Sequence, residues 1–316
     1  MSPPTDPTSG RIAITGSTGL IGRRLMTTLA SGPYEVFPLV RRLPAPGTNE
    51  IHWHPQRSEL DAAALESMDV VVHLAGENIA GGRWTAARKR AIHDSRCMGT
   101  SLLACCLACL KQPPRALITA SAIGFYGDRR DELLTEDAPP GAGFLADVTR
   151  AWEAAAQPAR DAGIRVVHLR LGVVLARNGG ALARMLPPFR WGLGGRVGHG
   201  RQYLSWISLT DAVRAIEHAI TRTDIEGPVN VVAPYPVTNA EFARVLGRLL
   251  RRPTVFPLPA TVVSLLLGQM GRELLLSSTR VMPQRLAASG FTFEYEDLES
   301  ALRAELGLPA RNAQRE

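Results

Sequence analysis

The first half of the chain alternates short apolar runs with helical patterns, and this alternation constrains the fold more than any other feature. Runs rich in Val, Ile and Leu, such as "RIAITG", "DVVVHLAG" and "IRVVHLRLGVVL", have the length of strands. Continuous apolar strands separated by helices are typical of a parallel sheet that is covered on both faces. The pattern therefore predicts an α/β, doubly wound fold of the Rossmann kind.

The alternation weakens after about residue 176, where glycine and proline become frequent in the loop-rich "PPFRWGLGGRVGHGRQYLSW". Helical spacing returns near 210–222 and 239–251 and dominates the C-terminal end. We expect this second part to pack on the edge of the sheet and to close over a cleft. The predicted divisions are a disordered N-terminus over 1–10, a Rossmann domain over 11–176 and a smaller, mainly helical lobe over 177–316.

Composition excludes several classes of protein. The 316 residues carry a net charge of +7, but the basic residues are scattered and no nucleic-acid-reading motif accompanies them. Three of the four cysteines lie in the apolar helical pattern "LLACCLACL", which predicts buried small side chains and no metal site. Because no signal sequence or long apolar run is present, we expect a cytoplasmic protein without nucleic-acid or membrane partners.

A glycine-rich turn follows the first strand in "RIAITGSTGLIGRRLM", with glycines at 16, 19 and 22. A turn of this kind lets the backbone approach a pyrophosphate closely, and the helix that begins there points its free amides at the anion. The context of strand, turn and helix predicts a dinucleotide site. The expected contacts are Gly16, Ser17, Thr18, Gly19, Leu20, Ile21 and Gly22.

The end of the second strand, "PLVRR", predicts which dinucleotide is bound. An acidic residue at this place binds the ribose hydroxyls of NAD, but Arg41 and Arg42 stand here instead. One charge-assisted contact to a 2′-phosphate contributes about 1.5–3 kcal/mol, which corresponds to a preference of about tenfold or more. NADP is therefore the predicted cofactor, with Arg41 as its principal ligand.

Several motifs carry a family resemblance. "GSTGLIG", "VVHLAGEN", "TASAIGFYGD" and a helix with "WEAAA" resemble the extended, epimerase-like branch of the short-chain dehydrogenase/reductase superfamily. Together with "RLGVVLARNGGAL" and "SSTRVMPQRLAASGFTF", they resemble more closely an atypical subgroup of NAD(P)-dependent epimerase/dehydratase-like proteins, from Ile12 to Leu302. The resemblance implies further cofactor contacts from Leu74, Ala75, Gly76, Arg96 and Val174, with Ser121 beside the nicotinamide.

One part of that resemblance fails in "GAGFLADVTRAWEAAA". The superfamily uses a tyrosine as acid or base, with a lysine four residues later, and these positions fall near Leu145 and Thr149. The chain has only two lysines, Lys89 and Lys111, and neither follows a tyrosine by four residues. The usual pair is therefore absent from the whole chain.

Two residues are candidates to replace the missing acid beside Ser121. Tyr126, in "GFYGD", is either a phenol that protonates a substrate oxygen or a packed tyrosine with its hydroxyl bonded to backbone. Glu77 is either a shielded carboxyl group with a raised pKa or a loop residue that pairs with an arginine or with backbone amides. We keep both alternatives open for each residue.

The remaining polar candidates predict a substrate site. Asn78, Arg201, Gln202 and Trp206 would suit a small polar or anionic ligand that lies against an aromatic face. The first hypothesis is an NADP-dependent, epimerase-like oxidoreductase whose substrate is unknown. The alternative is a non-catalytic NADP-binding protein that senses redox state or regulates a process such as cell division, and a monomer and a homodimer both remain open.

Overall fold

Strands and helices alternate in the computed structural model, which describes residues 10–310. The strands are β1 (Gly10–Thr15), β2 (Tyr34–Val40), β3 (Ile51–His54), β4 (Glu59–Leu60), β5 (Val70–His73), β6 (Ala116–Ala122), β7 (Leu133–Leu134), β8 (Arg165–Leu171), β9 (Val173–Ala176), β10 (Tyr203–Leu204), β11 (Trp206–Ser208), β12 (Gly227–Val231), β13 (Val237–Thr238) and β14 (Arg280–Val281).

The helices fill the intervals between these strands. They are α1 (Leu20–Ala30), α2 (Ala86–Ala108), α3 (Phe144–Ala154), α4 (Gln157–Asp161), α5 (Gly180–Arg190), α6 (Leu209–Thr221), α7 (Asn239–Leu250), α8 (Ala260–Gly271), α9 (Gln284–Ala288) and α10 (Leu298–Leu306). Short 3₁₀ helices occur at Pro55–Arg57, Ala63–Leu65 and Ile123–Tyr126, and a π-helical turn at Arg272–Leu276 follows α8 directly.

Eight strands form one sheet in the order β12-β8-β6-β5-β1-β2-β3-β4. Every neighbouring pair is parallel except β3 and β4, which are antiparallel. The order runs outward in both directions from β1 and β5, and such a reversal opens a crevice at the carboxyl ends of the two strands. This arrangement confirms the predicted doubly wound fold.

Side chains of the sheet alternate between two apolar layers. In β1, Ile12 and Ile14 pack in a cluster with Leu25 of α1 and Ile216 of α6. Ala13, between them, belongs to a second cluster that includes residues of α2 and α4. Because successive strand residues face opposite sides, one continuous apolar run supplies both layers, as the sequence predicted.

The second lobe has its own core, and this part of the chain also supplies one strand of the large sheet. A cluster joins Leu182 and Leu186 of α5 to Trp206 and to residues of α7 and α10. The sheet nevertheless takes its last strand, β12, from this part of the chain, with Val229 opposite Leu169. The large sheet therefore includes a strand that lies C-terminal to residue 176, because the buried run of β12 returns to cover the edge of β8.

The structure bears on three smaller predictions, which concern the cysteines, membrane helices and metal sites, and the N-terminus. The cysteine prediction is wrong for Cys105 and Cys109, which are exposed, because α2 buries Leu103 and Leu107 on its opposite face. Between residues 10 and 310 no helix is long and apolar enough to cross a membrane, and no cluster of three metal-ligating side chains occurs. The predicted disordered N-terminus lies outside the described residues, apart from Gly10 at the start of β1.

Candidate functional site

The glycine turn at the end of β1 leaves no room for side chains. Gly16 has a φ of +70°, and a Cβ atom there would lie 2.8 Å from the backbone nitrogen of Ala75. A Cβ atom on Gly22 would lie 2.1 Å from the carbonyl oxygen of Gly16. The turn is held by a hydrogen bond that the Gly19 amide donates to the same oxygen at 2.9 Å. Glycine is thus required where the backbone approaches itself this closely.

Helix α1 begins at this turn with its first amides free for a ligand. Its N-cap residue, Gly19, has no side chain that caps the helix, and no acidic residue lies in the first turn. Free amides and the positive end of the helix dipole together favour an anion at this end. The residues present therefore fit the pyrophosphate of a dinucleotide.

Thr15, at the end of β1, ties the glycine turn to the end of β5. Its hydroxyl oxygen accepts hydrogen bonds from the amides of Leu74 at 3.1 Å and Ala75 at 3.2 Å, and it lies 2.7 Å from Nδ1 of His73. This arrangement brings Leu74 and Ala75 against the turn, and Gly76 follows them in the chain. Burial lowers the pKa of His73 to about 4, so this histidine, which the sequence analysis missed, is neutral at pH 7.

The two arginines after β2 differ in their partners. Arg42 donates to Glu50 at 2.5 Å and to the carbonyl oxygen of Leu43 at 3.2 Å. Arg41 is exposed, and within residues 10–310 it forms no ion pair. Of the two guanidinium groups, Arg41 is the one that is available to a ligand.

Arg96 of α2 packs between the chain leaving β5 and α3. Its guanidinium donates to the carbonyl oxygen of Glu77 at 3.1 Å and lies 5.0 Å from the ring of Trp152. A Cβ atom on Gly76 would come within 3.5 Å of this guanidinium, so Arg96 follows the backbone closely. Burial lowers the pKa of Arg96 to about 10, which still leaves it charged at neutral pH.

Val174 lies in β9 beside β11, close to the glycine turn. A Cβ atom on Gly180 would lie 3.3 Å both from the Val174 carbonyl oxygen and from a methyl group of Leu20. The start of the second lobe therefore adjoins the first turn of α1.

Ser121, at the carboxyl end of β6, belongs to a buried charged cluster. Its hydroxyl donates to Glu153 at 2.6 Å, and the carboxylate of Glu153 also accepts two bonds from Arg170 at 2.8 and 2.9 Å. Burial would raise the pKa of Glu153, but the hydrogen bonds and charge of Arg170 outweigh it and lower the pKa below its ordinary value. Because its hydrogen points at Glu153, Ser121 can only accept a hydrogen bond from a ligand.

Tyr126 extends the same cluster into the interior. Its side chain is fully buried, and the hydroxyl donates to Asn230 at 2.7 Å and accepts from Arg170 at 3.0 Å. Burial raises the pKa of Tyr126 above its ordinary value. The structure favours the packed alternative for this tyrosine, although its partners are side chains and not backbone groups.

Glu77 and Asn78 hold the loop that leaves β5. Glu77 forms an ion pair with Arg88 at 2.8 Å, and Arg88 also donates to the carbonyl oxygen of Asn78. The Asn78 side chain accepts from the amide of Ala80 at 2.9 Å. The Glu77 side chain is 43% exposed, so the expected shielding from water is absent and pairing with arginine, the other alternative, is observed.

Leu145 and Thr149 of α3 lie beside the loop that follows β6, where the resemblance places the missing pair. A Cβ atom on Gly124 would lie 3.2 Å from Cβ of Leu145 and 3.7 Å from the hydroxyl of Thr149. The amides of Phe144 and Leu145 donate to the carboxylate of Glu273, at 3.1 and 2.9 Å. Glu273, from the second lobe, caps α3, and the sequence analysis did not find it because 128 residues separate it from Leu145.

The predicted substrate residues of the second lobe are mostly interior. Trp206 is fully buried and donates to the carbonyl oxygen of Tyr235 at 3.1 Å. Gln202 is 4% exposed and donates to the carbonyl oxygens of Val197 and Leu275. The N–H groups of these two residues hold the backbone of the lobe, whereas Oε1 of Gln202 is buried without a hydrogen-bond partner among residues 10–310 and Arg201 is exposed. Their substrate role stays a prediction.

The parallel sheet, its reversal at β1 and β5 and the open glycine turn define a Rossmann-type nucleotide-binding protein. Residues 12–232 match the NAD dependent epimerase/dehydratase family, and the chain belongs to that family. Residues 258–305 match DUF1731, a domain of unknown function. The resemblance inferred from the motifs is thereby confirmed.

Relatives are similar over nearly their whole length. An epimerase family protein of Mycobacterium bovis is 45% identical over 92% of this chain and 96% of its own. The human epimerase family protein SDR39U1 is 39% identical over 93% of this chain and 98% of its own. The crystal structure of human SDR39U1 (isoform 2) with NADPH matches with a TM-score of 0.86 at 35% identity, over 94% of this chain and 99% of that one.

Proposed function

We propose that this protein is an NADP-dependent oxidoreductase that acts on a hydroxyl group of a small polar substrate. The observation that carries the proposal is the open anion site of the glycine turn and α1, together with Arg41 after β2, which is exposed and forms no ion pair among residues 10–310. The NADPH in the crystal structure of human SDR39U1 supports the same cofactor here.

Each part of the cofactor has residues that suit it. The amides of the turn and of α1 would hold the pyrophosphate, and Arg41 would bind the 2′-phosphate. Leu74, Ala75 and Gly76 would line the site next to the turn, and Arg96 would support Gly76 from behind. When bound, the nicotinamide supplies or accepts a hydride.

The groups that can exchange protons are carboxylates beside arginines, which favours a base over an acid. Glu77 forms an ion pair with Arg88, and Glu153 pairs with Arg170, which lowers the pKa of the Glu153 carboxyl group. An ionised carboxylate accepts a proton, as the oxidation of an alcohol requires. We assign this role to Glu77, because it is half-exposed and follows the strand next to the glycine turn, and we assign to Ser121 the acceptance of a ligand hydrogen bond.

The experiment is NADP⁺ reduction by the purified protein with a panel of small polar alcohols. Glu77→Gln should lower kcat/KM by about 10²–10⁴-fold, the contribution of a positioned base, and NADPH binding should remain. Glu132→Gln is the matched control, because Glu132 forms a similar exposed pair with Arg129. Equal activity of Glu77→Gln and the control would exclude Glu77 as the base.

The residues at the family's tyrosine and lysine positions favour a second candidate function, that of a non-catalytic NADPH-binding protein. Leu145 and Thr149 cannot exchange a proton with a substrate as that pair does, and the candidates Ser121, Tyr126 and Glu77 all have partners in the protein. A redox-sensing or regulatory protein would bind NADPH without turnover. That function predicts a rise in Tm with NADPH and no NADP⁺ reduction with any alcohol of the panel.

A further inference from the structure

Two loops of the second lobe join to form an exposed apolar surface. Residues 191–198 and 253–258 meet through a bridge between Gly195 and Val255 and through the Leu258 amide, which donates to the carbonyl oxygen of Arg196 at 2.9 Å. Of the eleven large hydrophobic side chains exposed within residues 10–310, seven lie on these loops or on the helix α8 that follows, each 40–76% exposed. They are Trp191, Leu193, Val255, Phe256, Leu258, Leu265 and Leu266.

Arginines flank these apolar side chains in the sequence, and the two loops themselves contain no acidic residue. Arg190, Arg196, Arg251 and Arg252 are exposed, and none of them forms an ion pair within the described part of the chain. The sequence has no Asp or Glu between Asp161 and Asp211, and none between Glu241 and Glu273. We call the five apolar residues of the two loops and these four arginines the basic apolar surface.

We propose that the basic apolar surface binds the face of an anionic lipid bilayer. Exposed Trp, Phe and Leu side chains beside arginines suit the boundary between the acyl chains and the anionic headgroups of a bilayer. The apolar side chains would contact the acyl chains there, and the arginines would pair with the headgroups. Such a patch on a soluble protein marks an interaction site. This mode of binding needs no membrane-spanning helix, and it replaces our expectation that the protein has no membrane partner.

Charge and side-chain chemistry argue against two other occupants. Two copies of the surface facing each other would bring arginines against arginines with no carboxylate between them. A nucleic acid would bind the arginines and stack on Trp191 and Phe256, but it would leave the aliphatic Leu193, Val255 and Leu258 in water, since they offer neither stacking nor hydrogen bonds. A bilayer with anionic headgroups matches both the charges and the aliphatic groups.

The experiment is sedimentation of the full chain with vesicles of phosphatidylcholine, with and without phosphatidylglycerol. We expect binding only to the anionic vesicles. Arg251→Gln/Arg252→Gln should weaken it about 25-fold, because each arginine near an anionic surface contributes about fivefold. Trp191→Ser/Phe256→Ser should weaken it about tenfold or more through lost apolar contact.

The matched control is Arg57→Gln/Arg160→Gln, which removes two exposed arginines from another part of the surface and should bind like the wild type. Retained NADPH binding shows that each variant is folded. The proposal is overturned if anionic vesicles do not bind, if the control loses as much affinity as Arg251→Gln/Arg252→Gln, or if Trp191→Ser/Phe256→Ser binds normally. It is also overturned if the wild type is a dimer that Trp191→Ser/Phe256→Ser dissociates, or if the protein binds single-stranded DNA more tightly than the vesicles.

Discussion

The carboxyl ends of β1 and β6 carry two polar arrangements that differ in how their groups are satisfied. At the end of β1 the first amides of α1 have no cap, and after the neighbouring strand β2 Arg41 has no ion-pair partner in the described part of the chain. At the end of β6, Ser121, Glu153 and Arg170 are bonded to one another; Ser121 and Arg170 are buried and Glu153 is partly buried. A site for a ligand leaves donors open, whereas a buried cluster must satisfy its own groups, since unpaired charges in the interior are costly.

The largest effect should come from opening the closed cluster. Arg170→Met leaves Glu153 buried without its partner and should lower the free energy of unfolding by about 3–5 kcal/mol in urea denaturation. Arg170→Met/Glu153→Leu is the matched variant, because it removes both charges and should recover most of that loss. If the double variant has no higher free energy of unfolding than Arg170→Met, the loss does not come from leaving the Glu153 carboxylate without its partner.

A smaller effect concerns His73, which lies below the open turn. Its pKa is about 4 in the folded protein and 6.5 in the unfolded chain, so only the unfolded chain takes up its proton between these values. The free energy of unfolding should therefore fall as the pH drops from 6.5 to 4, by about 3 kcal/mol from this residue. His73→Gln should make this pH dependence shallower, which urea denaturation between pH 4 and 7 would measure.

The open turn itself is tested by adding one methyl group. Gly22→Ala places a Cβ atom against the Gly16 carbonyl, and the resulting shift should weaken NADPH binding by about 1–3 kcal/mol in a calorimetric titration. Gly32→Ala, where a Cβ atom would meet only ordinary contacts at 3.5 Å or more, is the control. Unchanged affinity in Gly22→Ala would mean that the turn does not hold the cofactor.

The smallest effect separates the two arginines after β2. Arg41→Gln should raise the Kd of NADPH by about tenfold and leave that of NADH unchanged, since only NADPH carries the 2′-phosphate. Arg42→Gln should change little, because Arg42 is paired with Glu50. A larger loss in Arg42→Gln than in Arg41→Gln would reverse the assignment.

The sequence was informative wherever a requirement is local. The alternation of apolar strands and helices predicted the sheet, because burial on both faces demands continuous apolar runs. The spacing of Gly16, Gly19 and Gly22 predicted the turn, because only glycine tolerates such close backbone contact. The absence of an acid after β2 and the lack of a lysine four residues after any tyrosine can also be read directly from the residue order.

Tertiary structure alone decided what each polar side chain does. Tyr126 and Trp206 are candidates for a site by residue type, but their partners Asn230 and Tyr235 come from distant parts of the chain and draw them into the interior. Glu273 reaches the start of α3 only because the second lobe packs there. A hydrogen bond between residues far apart in the sequence follows no periodicity or spacing that would predict it. The sequence therefore determined the fold and the glycine turn, whereas tertiary packing determined which polar groups remain open to a ligand.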